Sequence, residues 1–304
     1  MKSFFVVIGL LLIMTTIVSC SKDKSIQNND SISGSNAASV FIPSWVGTSI
    51  VGEMIHPANN PLTLEGIDLG TVFLTFVSCS TAIDNKSSFK VEHRGALKDM
   101  MHKGDISAKA NLSELKDMQN LYALGALENL KGEVLILNSN PFNTIVIDSA
   151  LTFDNSFSKK ATLLVYVCVP NWKSINIPNN IVGYDELEKF IAEKAEENQI
   201  DINEPFPFLI EGTPASFDWH VINWKDGDTE HSHEKHIHSG LYGTIKNQPV
   251  KMLGFYSDSH HAIFTHHTTN MHIHVKTDNN EIAGHVDALV LGEGMILKLP
   301  NETH

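Results

Sequence analysis

The chain has 304 residues, 42% of them hydrophobic, with 35 acidic against 22 basic side chains and a formal net charge of −13. A balance this acidic argues against nucleic acid as a partner and gives no electrostatic attraction to an anionic membrane surface. The sixteen histidines are the compositional anomaly, and most of them lie from His231 onward.

In chain order, Lys2 precedes an uncharged apolar run (residues 4–14), and Ile17-Val-Ser-Cys20 places small residues before a cysteine. This is the pattern of a bacterial lipoprotein signal over residues 1–20, cut before Cys20, which is then acylated. The apolar run is too short and wrongly flanked for a permanent spanning helix. The expected product is exported and held on a bacterial membrane by its lipid alone. Residues 21–39 are polar, small and aperiodic, as in a flexible tether. Residues 40–88 hold two apolar stretches, 40–55 and 71–79, and read as strands of an N-terminal extension with no function assigned. Besides Cys20 only Cys79 and Cys168 remain, each in an apolar run. Two cysteines permit one disulfide in an oxidising compartment but define no framework, so buried free thiols are the expectation.

From residue 89 onward the signals sharpen. Residues 95–103 place Leu97, Met100 and Met101 at helical spacing, stopped by Gly104. Asn111 with Glu114 three residues on opens a short helix. Segments 132–137 and 161–169 are β-branched strand candidates. Residues 184–198 are the best helix, with Leu187, Phe190, Ile191 and Ala195 on one face. After Pro205 the pattern turns to strands at 206–210, 251–256, 271–276, 284–291 and 295–299. The expected class is α+β with a mostly antiparallel C-terminal sheet.

Segment 270–276 alternates, so His272 and His274 project from one face of a strand. Asp278-Asn-Asn-Glu281 suits a tight turn with Asn279 and Asn280 at its two central positions. Counting back from that turn, 276 faces 283 and 274 faces 285. His274 and His285 then form a direct cross-strand pair with Cβ atoms about 5 Å apart. His272 is their diagonal neighbour, and Asp287 stands opposite it, placed to orient its ring. Three imidazoles converging from one hairpin face are the donor set of a catalytic zinc site with a position left open. The same donors suit copper, nickel or iron. His231, His233, His236 and His238 follow the polar stretch Lys225-Asp-Gly-Asp-Thr and read as a histidine-rich loop, either simply solvated or a second metal-binding element.

The metal-site residues carry a family resemblance. Met271-His-Ile-His-Val-Lys276 with Gly284-His-Val286, ten residues lying between His274 and His285, resembles the zinc motif of acetolactate decarboxylases. Residues 121–133 (LYALGALENLKGE) resemble the family's glycine-containing strand leading to a Leu-x-Gly-Glu turn, which puts Glu133 on the catalytic glutamate. Residues 89–105, Glu211-Gly-Thr213 and Leu253-Gly-Phe255 follow in the family's order, so the resemblance covers 89–300. It implies two mixed or antiparallel β-sheet regions with a few helices. It also implies zinc on His272, His274 and His285, and decarboxylation of acetolactate, or a related 2-hydroxy-3-keto acid, to an acetoin-type product and carbon dioxide. Such an acid loses carbon dioxide readily when a Lewis acid stabilises the electrons left on its ketone oxygen, and Glu133 would handle the returning proton.

Two departures accompany the resemblance. His220 stands where the family has an arginine, replacing a permanent bidentate cation by a switchable imidazole. For the family's C-terminal active-site glutamate, residues 299–304 offer only Glu302. His220 is therefore expected at the substrate carboxylate. A non-catalytic exported lipoprotein that binds zinc or copper on the same fold is the alternative, as is a different metal-assisted reaction. A homodimer is compatible with the sequence.

Overall fold

Alternating apolar strands build two antiparallel sheets in the computed structural model, which describes residues 89–301. The expected signal, tether and extension, with Cys20 and Cys79, lie outside the described residues, as does Glu302. The first sheet comprises β1 (Glu92–Arg94), β2 (Ala110–Asn111), β3 (Leu121–Leu127), β4 (Glu133–Leu137), β5 (Asn140–Pro141), β6 (Asn143–Ile147), β7 (Ala150–Asp154) and β8 (Lys160–Cys168). Its order is β1-β8-β3-β4-β6-β7, with β2 pairing with β8 and β5 with β4. The second comprises β9 (Trp172–Asn176), β10 (Phe206–Gly212), β11 (Ser216–Val221), β12 (Leu241–Lys246), β13 (Val250–Tyr256), β14 (Met271–Thr277), β15 (Ala283–Val290) and β16 (Ile296–Pro300). Its order is β12-β11-β15-β14-β13-β10-β16-β9. With only three α-helices, α1 (Leu97–Lys103), α2 (Tyr184–Glu197) and α3 (His233–His238), among the described residues, the α+β expectation holds. The first half is richer in strands than its sequence pattern suggested.

Strand parity decides which side chains reach the site. In β3 and β4, Leu124, Ala126 and Leu135 join the larger core shared with the second sheet. Ala123, Leu127, Val134 and Ile136 pack on the opposite face into a smaller core with Leu112 and Leu115. Glu133 has the parity of Leu135, so its carboxylate is turned inward between the sheets. Gly125, at φ +153, allows β3 to pass close to β8, since a Cβ there would lie 2.0 Å from the Leu163 carbonyl oxygen.

Helix α2 buries Leu187, Phe190, Ile191 and Ala195, the face its spacing predicts. The Glu186 carboxylate accepts a hydrogen bond from the Gly183 backbone N–H at 3.0 Å, closing its first turn. Helix α1 ends on Gly104 in the left-handed region, φ 62. Asn111 accepts from the Ser113 N–H and opens a single 3-10 turn, Leu112–Leu115.

Two expectations need correction. The β14–β15 register is the one counted from sequence, His274 opposite His285 and Lys276 opposite Ala283. The turn differs, however: a four-residue connection is closed by the Thr277 N–H donating to the Ile282 carbonyl at 3.0 Å, and only Asn280, φ 59, is left-handed. Cys168 is exposed, not buried, because the buried run of β8 ends at Val167 and its last residue faces outward.

Candidate metal centre

Met271, Ile273 and Val275 alternate with His272 and His274 along β14, so the two imidazoles share one face of the strand. His285 on β15 pairs with His274 on one side and with His220 of β11 on the other. His220, His285 and His274 therefore form one row across three adjacent strands, with His272 one step along β14. The rings of His272, His274 and His285 are 4.9 to 5.4 Å apart. One ring nitrogen from each lies within 4.8 Å of the others.

The row faces the first sheet. Glu133 places Oε2 3.8 Å from Nε2 of His274 and Oε1 3.9 Å from Nε2 of His220. Its Oε1 accepts from the Ile222 backbone N–H at 3.1 Å. Burial pushes the Glu133 carboxyl up to about 7, although the neighbouring His220 and the Ile222 N–H pull the other way. It is a buried carboxyl between two sheets, quite unlike a solvated turn glutamate.

Asp287 is not the partner of His272 that counting suggested. Strand β15 pairs Val286 with Trp219 and Ala288 with Asp218, leaving Asp287 as the extra residue of a bulge. The bulge re-aims its side chain along the row. Its carboxylate oxygens accept from His220 Nδ1 at 2.8 and 2.9 Å. That bond fixes the His220 tautomer and turns Nε2 toward Glu133. Burial works to lower the His220 pKa, but the Asp287 bond and the Glu133 charge outweigh it and hold the imidazole above its ordinary value.

The trio behaves in the opposite sense. Burial pushes His272 down to about 4. His274 and His285 are held well below the ordinary imidazole range, again chiefly by burial and then by the neighbouring histidines. All three are neutral at physiological pH, the state a metal requires. Neither ring nitrogen of fully buried His274 makes a well-formed hydrogen bond, and Nδ1 of His272 makes none. Buried polar atoms left this way are costly. A cation shared by the trio would satisfy one nitrogen of each ring, so the donor set fits a divalent metal that prefers imidazole.

His272, His285, His220 and Glu133 line a cavity of about 360 Å³. Tyr184, at the start of α2, contributes a wall that sequence reasoning did not assign. Its phenol is raised above the ordinary range by burial and so stays protonated. The expected histidine loop is instead short helix α3, capped by Ser232, whose hydroxyl accepts from the Lys235 N–H at 3.2 Å. His233 and His236, three residues apart on α3, line the cavity along with His266. The serine cap was the readable signal; the helix has no apolar periodicity. His238 turns away, its Nδ1 on the Glu234 carbonyl at 2.9 Å.

No protein-family model and no curated protein matches the sequence. Solved structures do match. A protein of unknown function from Staphylococcus aureus, described as similar to α-acetolactate decarboxylase, superposes with a TM-score of 0.55 at 15% identity over 69% of this chain and 85% of its own. The α-acetolactate decarboxylase of Bacillus subtilis strain 168 gives 0.55 at 13% over the same shares. That of Bacillus subtilis subspecies spizizenii gives 0.56 at 14% over 70% and 87%. At such identities the likeness is one of architecture, and the chain has the acetolactate decarboxylase fold.

Proposed function

We propose that the protein is a metal-dependent carboxy-lyase that removes carbon dioxide from acetolactate, or a related 2-hydroxy-3-keto acid, to leave an acetoin-type product. The observation that carries this reading is the meeting of Glu133 from one sheet with His220 and the buried trio from the other, at a cavity sized for a small substrate.

His272, His274 and His285 would hold the ion, zinc or another divalent metal, and bound there it supplies a Lewis acid for the electrons released as carbon dioxide departs. The remaining work falls to the chain. Glu133, with its carboxyl near 7, can both give and take a proton at neutral pH. Protonated, it returns the proton to the carbon that lost carbon dioxide; ionised, it is recharged from solvent. His220, whose positive form is favoured by the Asp287 hydrogen bond, meets the substrate carboxylate where the resembled family uses arginine. Unlike arginine, it loses that charge as pH rises. Leu130, Ile222 and Val286 line the cavity and keep bulk water from the reacting carbon.

From the N-terminal signal pattern we further propose that the enzyme lies outside the cytoplasm, tethered through lipid on Cys20. Carbon dioxide release from acetolactate by metal-loaded and chelator-treated protein tests the activity. Release only by the loaded form is expected. Equal release, or none from either form, would reject it.

A further inference from the structure

We propose that His231 and His236 form a second transition-metal site beside the cavity, taking one divalent ion of the zinc type with water completing its coordination. This site is independent of the carboxy-lyase reading, because it shares no ligand with the trio.

Nδ1 of His231 stands 3.0 Å from Nε2 of His236, and neither ring makes another hydrogen bond among the described residues. Two nitrogens bound to one tetrahedral zinc at about 2.0–2.1 Å are roughly 3.3 Å apart. An ion could therefore replace the shared proton with a separation change of a few tenths of an ångström and a swing of each ring by roughly 35°.

Both rings rest on Trp224. His231 stacks on the indole at 4.4 Å and 14°, and His236 meets it edge-on at 4.8 Å and 85°. Trp224 is itself 2% exposed. Its backbone N–H donates to the Leu130 carbonyl at 2.9 Å and its indole N–H to the Asp228 carbonyl at 3.0 Å. Ser232 fixes the spacing, its carbonyl accepting from the His236 N–H at 3.0 Å. The pair is thus held together before any ion arrives, which lowers the ordering cost of binding.

The charge around the pair is mixed. Lys235 lies 5.6 Å over the same indole, but both Asp228, at 3.0 Å, and Glu230, at 3.7 Å, pair with it. Asp228 favours positive charge at His231, while Lys235 opposes it at both rings. His236 also lines the cavity that His272 and His285 line, so the pair and the trio share that cavity. With two protein ligands where the trio offers three, the site exchanges its ion more readily.

The test is equilibrium dialysis of the metal-free full chain against zinc, counting bound ions. Wild type should bind one ion tightly and a second more weakly. His231→Ala/His236→Ala should lose the weaker ion and keep the tight one, which also shows that the variant is folded. His236→Gln provides a milder version of the same loss. His274→Ala should do the reverse, and His238→Ala should change nothing. The proposal is overturned if wild type binds no weaker ion, if the double variant keeps it, or if its loss follows His233→Ala/His266→Ala instead.

Discussion

Asp287 accepts a hydrogen bond from Nδ1 of His220 at 2.8 Å, from a bulge position that has no cross-strand partner on β11. The irregularity favours the protonated form of His220, which burial alone would disfavour. Asp287→Asn preserves shape and removes that support, so His220 becomes neutral at lower pH. The expected result is a fall in kcat of about 10–100-fold. The alkaline limb of the pH–rate profile should move to lower pH, with bound metal unchanged. A profile that merely drops in height would assign Asp287 to structure alone.

Glu133 gives a prediction for stability as well as rate. Its folded pKa, about 7, is raised above the ordinary 4.5. Its contribution to stability is therefore full below pH 4.5 and is lost as pH rises through 7. Across that window metal-free wild type should lose on the order of 3 kcal/mol relative to Glu133→Gln, measured by denaturant unfolding. The same variant should lower kcat by about 10²–10⁴-fold while keeping its metal.

The trio titrates the other way. Unfolded imidazoles take up protons below 6.5, while His272 in the folded protein waits until about 4. Lowering the pH through that interval should destabilise the metal-free protein, by on the order of 3 kcal/mol for His272 alone. Zinc at a thousandfold excess over its Kd should add about 4 kcal/mol at neutral pH. A melting temperature indifferent to zinc would contradict the assignment of the trio.

Gly125→Ala tests the close passage of β3 against β8. The new Cβ would meet the Leu163 carbonyl and strain a backbone at φ +153. A loss of about 2–5 kcal/mol is expected from the combined clash and strain. A neutral effect in thermal unfolding would show that the strands can separate there.

The sequence made the hairpin readable because strand parity and one turn suffice to align His272, His274 and His285. The register survived even though the turn is wider than expected, since Thr277 and Ile282 preserve the same residue pairing. Asp287 was misplaced because nothing local announces a bulge; it depends on the pairing of β15 with β11. The inward aim of Glu133 likewise needed the parity of β4 against partners far along the chain, Ile222 at 89 residues and His274 further still. Helix α3 was hidden by its polar composition, and Cys168 was misjudged because an apolar run does not say where its strand stops facing the core.

Acetoin formation from acetolactate, followed side by side in zinc-loaded wild type and His274→Ala, tests the central claim most directly. The account predicts turnover in wild type and its loss, together with the tightly bound zinc, in the variant. Turnover that persists without that zinc, or tight zinc with no turnover in wild type, would contradict it.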